Sequence, residues 1–130
     1  MQVLNFYSAI FADQLRRGRK TATIRLGDKS HSYRKNELVL VTIGYKYSPR
    51  ERIFEAVIDQ VEVKPINKLS PRDIEHDNPE FRRTEELVTS LEQIYGRKVA
   101  LTDTVTVVRF SQVIDPAIRD RMRGMGGTQN

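Results

Sequence analysis

Gly18-Arg19-Lys20-Thr21-Ala22-Thr23-Ile24-Arg25 is the stretch whose reading decides the fold. Thr21, Thr23 and Arg25 alternate with Ala22 and Ile24, the period-2 pattern of a half-buried strand. Tyr7, Ile10, Phe11 and Leu15 precede it at helical spacing, which predicts a helix from about Ser8 to Arg17 that stops at Gly18. A turn at Gly18 then delivers a short strand, Lys20–Arg25, with Thr21, Thr23 and Arg25 on one face and Lys20 at its start. An amine, hydroxyls and a guanidinium gathered at a strand start have the makings of a chemical site. Lys20 and Thr23 are three apart, however, and on a regular strand they would face opposite sides. Their convergence requires a kink at Lys20–Thr21.

Outward from this stretch, Val3-Leu4-Asn5-Phe6 reads as an opening strand, and Glu37–Ile43 is apolar on both faces, as a central or barrel-wall strand is. Ser48-Pro49 marks a turn. Arg52–Val63 is long and rich in β formers, and its inward set changes phase near Asp59-Gln60, the mark of a bulge. Ser70-Pro71-Arg72-Asp73 is a helix start, with a serine cap, proline at the first position and an acid at the third. Asp77-Asn78-Pro79 interrupts that helix. A further helix is anchored by Leu87, Val88, Leu91, Ile94 and Tyr95 and closed by Gly96. Thr104–Phe110 is the last strand. The expected architecture is α+β: a β-pseudobarrel of about five to six strands with two to three flanking helices, rather than a doubly wound sheet.

The 130 residues fit one domain, expected over 1–112, with a basic tail over 113–130 that frays. The sequence has no cysteine, which excludes a disulfide framework, a thiolate zinc site and a cysteine nucleophile. Its two histidines, His31 and His76, are too few for a histidine-rich metal site, so neither metal nor cofactor is expected. No apolar run approaches membrane-spanning length and no leader pattern opens the chain, so the expected compartment is the cytoplasm and no membrane partner is expected. A net charge of +5 favours polyanionic partners. Removing Arg119, Asp120, Arg121 and Arg123 of the tail lowers it by two, to +3, so the body is mildly basic.

The motif Phe6…Ile10…Gly18-Arg19-Lys20-Thr21-Ala22-Thr23-Ile24-Arg25 resembles the opening of the ASCH family, a branch of the PUA-like pseudobarrels. Glu37–Val41 resembles the family's next wall strand, Leu69…Asp77…Glu86-Leu87…Tyr95-Gly96 its helical insert, and Val105–Phe110 its closing strand. The resemblance implies work on RNA or nucleosides, without a cofactor. Some small bacterial relatives hydrolyse N4-acetylcytidine to cytidine and acetate with a lysine base, a threonine nucleophile and a downstream glutamate. Lys20 and Thr23 match the first two positions. Asp77 falls at the third, one methylene shorter, and Glu75 is the fallback if the loop is shifted.

In that chemistry Thr23 attacks, Lys20 takes its proton if burial and Arg25 lower the lysine pKa, and Asp77 or Glu75 orients Lys20 or protonates the departing amine. Arg25 holds an oxyanion, a phosphate or a pairing carboxylate. Arg19, Thr21 and Tyr7 are the further substrate-binding candidates; Tyr7 or Phe6 would stack on a base. Each assignment has a plainer rival. Thr21 and Thr23 are good strand formers. Lys20 and Arg25 also suit solvated strand ends, and Arg25 suits a structural ion pair. Asp77 before Asn78-Pro79 suits a turn or cap. Tyr7 suits the core, and His31 and His76 suit the surface. The cluster Arg16, Arg17, Arg19 and Lys20 suits both a helix C-terminus and a phosphate rim. Three functions follow: an amidohydrolase acting on N4-acylated cytosine nucleosides, a non-catalytic RNA- or nucleotide-binding module, and, third, a ribonuclease. Tyr45–Arg50 is a candidate wall or clamp for such a ligand.

Overall fold

The computed structural model describes residues 1–44 and 48–114. Residues 45–47 of the candidate clamp, and the tail from residue 115 onward, lie outside the described residues. The elements are β1 (Gln2–Phe6), α1 (Ile10–Arg16), β2 (Ala22–Leu26), β3 (Leu38–Ile43), β4 (Glu51–Pro65), a 3-10 turn (Ile66–Lys68), α2 (Pro71–Asp77), α3 (Thr84–Tyr95) and β5 (Thr104–Gln112). The strands form one sheet in the order β1-β3-β4-β5-β2, curled into a half-barrel. The described residues therefore form an α+β pseudobarrel of five strands and three helices. Among the described residues no helix is long and apolar enough to cross a membrane.

β1 and β2 are the two edges of the sheet, and curling brings them together: the Arg25 guanidinium on β2 donates from Nη2 to the Asn5 carbonyl on β1 at 3.0 Å. The curl has a visible source in β4. Its register against β5 slips between Ile58 and Gln60, leaving Asp59 as the extra residue, at the phase change legible in the sequence. The apolar alternation divides into two packed groups. Leu4, Phe6, Leu15, Val41, Ile58 and Phe110 fill one side, beside α1. Ile24, Leu26, Ile74, Leu87, Leu91 and Val107 fill the other, where α2 and α3 pack on β2 and β5.

α2 begins as its sequence predicts. The Ser70 hydroxyl accepts from Asp73 N at 3.1 Å, and the Asp73 carboxylate accepts from Ser70 N at 2.9 Å. Asp73 is also bound by Lys64 at 2.9 Å and by Arg109, which fasten α2 to β4 and β5. The helix stops at Asp77 because Asn78, before Pro79, is extended (φ −152°, ψ 108°).

β2 starts at Ala22, two residues later than the alternation suggests. Arg19 N and Lys20 N both donate to Gln14 O, so Lys20 belongs to the connection, while Thr21, whose N–H donates to His76 O and whose carbonyl accepts from Phe110 N, stands at the entry to the ladder. Gly18 makes the turn at φ +72°, with open space where a Cβ would stand. Gly18→Ala is expected to lower stability by about 1 to 2 kcal/mol, the cost of the left-handed backbone alone. Denaturant melts of the two proteins check this; equal midpoints would show that the turn relaxes freely.

Candidate functional site

Lys20 emerges from the kinked connection and turns inward, at 2% exposure one of the largest fully buried side chains. Its Nζ donates to Ala22 O (3.0 Å), Asp77 O (2.6 Å) and Asp77 Oδ1 (3.0 Å), three acceptors for three protons. The Phe6 and Phe11 rings lie 4.9 and 4.8 Å from it, centroid to nitrogen. Burial holds the Lys20 pKa below the ordinary lysine value; the Asp77 carboxylate opposes this and the Arg25 charge adds to it.

Asp77 lies at the last turn of α2, and its Oδ1 also accepts from Ile24 N at 3.0 Å. One carboxylate oxygen therefore ties the amine of Lys20 to the outer edge of β2. Thr23 and Arg25 share a face of that strand: Arg25 Nε donates to Thr23 Oγ1 at 3.0 Å. The guanidinium lies 5.1 Å from the Phe6 centroid and is bolted to Asn5 O. Thr23 is 4% exposed.

These groups line one cavity of about 140 Å³. Its polar end holds Asn5, Lys20, Thr23, Arg25 and Asp77; its apolar wall is Leu87, Leu91 and Ile94 of α3 with Phe6 and Phe11. Tyr7 stands at the rim, 52% exposed, and so is not a core residue. Wider depressions of about 560 and 410 Å³ exist, but they lie outside the Thr23–Arg25–Asp77 cluster.

Of the residues singled out in the sequence, Lys20, Thr23, Asp77, Arg25 and Tyr7 come together. Thr21 instead lines the 410 Å³ depression, with His76, Arg109 and Phe110. Arg19 lines a third depression with Asp13, Glu80 and Arg82. Glu75 is exposed on another face of α2, beside Arg72, and Asp77 is the acid of this helix that meets Lys20. His76 Nδ1 faces Arg109 Nη1 at 2.8 Å, and His31 is exposed in its loop. Arg16 pairs with Glu51 and Arg17 with Asp13 on the surface, and Lys20 pairs with Asp77, so three of the four cations of the basic cluster carry their own counter-charge. Among the described residues no three His, Cys, Asp or Glu side chains cluster as metal ligands.

Asn5 and Tyr95 escaped the sequence reading as cavity residues. Asn5 is buried; its amide donates to Gly44 O (3.0 Å) and its Oδ1 accepts from the Thr42 hydroxyl (2.7 Å). The signal was a polar residue inside the apolar run Val3–Phe6. Tyr95, read only as a helix anchor, places its hydroxyl oxygen 3.2 Å from Leu26 N, which donates to it.

No family model matches the sequence. No curated protein sequence matches it either. Solved structures do resemble it. Protein EF3133 from Enterococcus faecalis V583, of the family DUF984, superposes with a TM-score of 0.64 over 86% of this chain and 79% of its own, at 16% identity. An ASCH domain from Lactobacillus crispatus JV V101 gives 0.63 over 85% and 79%, at 15% identity. The hypothetical protein PH0355 gives 0.63 over 87% and 100%, at 14% identity. At such identities the likeness concerns the fold. The chain has an ASCH-like fold.

Proposed function

We propose that this chain is a single-domain amidohydrolase that deacylates N4-acylated cytosine nucleosides, with Thr23 as nucleophile. The observation that carries the reading is the Thr23 hydroxyl held by Arg25 Nε in a small cavity, beside a buried lysine paired with Asp77. Thr23 Oγ1 attacks the acyl carbonyl and its proton passes to Lys20. The Arg25 N–H that already points at Oγ1 favours the alkoxide as it forms. Lys20 acts once it has lost one of its three protons, and its burial favours that loss. Asp77 keeps the amine in place. Collapse of the tetrahedral adduct breaks the C–N bond, the proton goes to the departing amine, and water then hydrolyses the acyl-threonine. The sum is amide plus water giving amine plus carboxylic acid. Tyr7 at the rim supplies a face for the base.

The expected result is release of cytidine and acetate from N4-acetylcytidine by the purified chain, followed by chromatography or by the change in ultraviolet absorption. No turnover by folded protein would overturn the reading. One observation favours a binding module instead: all three Lys20 protons are engaged by Ala22 and Asp77, and no hydrogen bond joins Lys20 to Thr23. Under that reading the nucleoside binds unchanged, and Thr23→Ala binds it as the native chain does. Neither histidine lines the cavity, which leaves strand cleavage of RNA without a histidine acid–base pair.

A further inference from the structure

The outer edge of β2 carries a row of hydrogen-bonding groups, one of which the deacylation steps leave idle. In an antiparallel ladder, residues alternate between facing the partner strand and turning both N–H and C=O away. Phe110 N donates to Thr21 O and Gly27 N to Thr104 O. With Thr23 opposite Val108 and Arg25 opposite Thr106, the odd-numbered residues are the bonded pairs and Ala22, Ile24 and Leu26 face outward. Most of this outward edge is already used. Lys20 Nζ takes Ala22 O, Asp77 Oδ1 takes Ile24 N, and Tyr95 Oη takes Leu26 N.

Among the described residues, the Ile24 carbonyl is the outward group between Asp77 and Tyr95 that no hydrogen bond fills. Ile24 is 5% exposed and lines the cavity, as do Asp77 and Tyr95. A carbonyl in so buried a residue calls for a donor. Tyr95 accepts from Leu26 N and keeps its own O–H to give. Ile24 N and Leu26 N are about 7 Å apart along the strand, so the Ile24 carbonyl and the Tyr95 hydroxyl fall within the width of one planar ring. An extended peptide fits poorly, because the two outward N–H groups that it would bind are filled.

We infer that this edge is a recognition subsite in which Ile24 C=O accepts an N–H from the ligand and the Tyr95 hydroxyl donates to the acceptor beside it, making Tyr95 a specificity-determining residue. An N4-acylated cytosine offers such a pair in its amide N–H and the adjacent ring nitrogen. The identity of the ring rests on the deacylase reading; the donor–acceptor pattern of the edge does not.

The test measures calorimetric binding to Thr23→Ala, with and without Tyr95→Phe, alongside turnover by the native chain. The probes are N4-acetylcytidine, its 3-deaza analogue with C–H in place of the ring nitrogen, and its N4-methyl analogue without the N–H. The expected result is that Tyr95→Phe weakens N4-acetylcytidine about tenfold and leaves the 3-deaza analogue unchanged, while N4-methylation weakens binding to both variants. Equal losses for the parent and the 3-deaza analogue would make Tyr95 merely structural and overturn the inference, as would no loss for either. Turnover without Tyr95 discrimination leaves the reaction standing and removes the subsite. Discrimination without turnover does the reverse, and absence of all binding removes both.

Discussion

Thr23→Ala is expected to lower hydrolysis of N4-acetylcytidine by at least about 10³-fold, while stability falls by only about 1 kcal/mol. The two effects separate because of how the hydroxyl is held. It takes one hydrogen bond, from Arg25 Nε, and that guanidinium keeps its second bond to Asn5 O and its place on the Phe6 ring. Removing the hydroxyl therefore deletes the nucleophile without releasing the bolt between β1 and β2. Thr23→Ser keeps a hydroxyl on the same strand face and is expected to retain measurable turnover. Initial rates and thermal melts of the three proteins check this. Full activity in Thr23→Ala would show that Thr23 is not the nucleophile.

The sequence made a strand at Lys20–Arg25 legible, which the structure shifts to Ala22–Leu26, and also the need for a kink at its start, because Lys20 and Thr23 are three apart yet carry complementary chemistry. The kink is the run of bonds from Arg19 N and Lys20 N to Gln14 O and from Thr21 N to His76 O. Local rules also delivered the ends of α2, through Ser70, Pro71 and the Asp77-Asn78-Pro79 stop, and with them the position of Asp77 in the chain. They did not deliver the neighbours of Thr21. Alternation places it on the face of Thr23, but Thr21 stands at the ladder's entry, where its N–H turns to His76 O and its surroundings are those of the 410 Å³ depression. The partners of Asn5 and Tyr95 were illegible for a different reason. Each depends on a long-range closure: the sheet must curl before Asn5 O can meet Arg25, and α3 must dock before Tyr95 can cap Leu26 N.

Asp77→Asn is expected to lower stability at neutral pH by about 3 to 5 kcal/mol, a Tm fall on the order of 10 °C or more, because it leaves the buried Lys20 charge without its partner. Lys20→Met removes the charge instead of stranding it, and is expected to cost less. The pH dependence separates this account from a simple loss of packing. Burial already holds the folded-state pKa of Lys20 below its unfolded value, about 10.4. Between those two values the unfolded chain binds the extra proton, so stability rises with pH across that window. Asp77 pushes the Lys20 pKa up. Its removal lowers the folded value further and extends the window toward neutrality. Urea melts from pH 7 to 10 are therefore expected to show Asp77→Asn recovering stability as the pH rises, more than the native chain does, and Lys20→Met without the slope that Lys20 contributes. Parallel profiles for Asp77→Asn and the native chain would mean that Lys20 stays charged without its carboxylate. An amine that keeps its proton in that setting would be a poor base for Thr23, and the binding-module reading would then gain over the hydrolase.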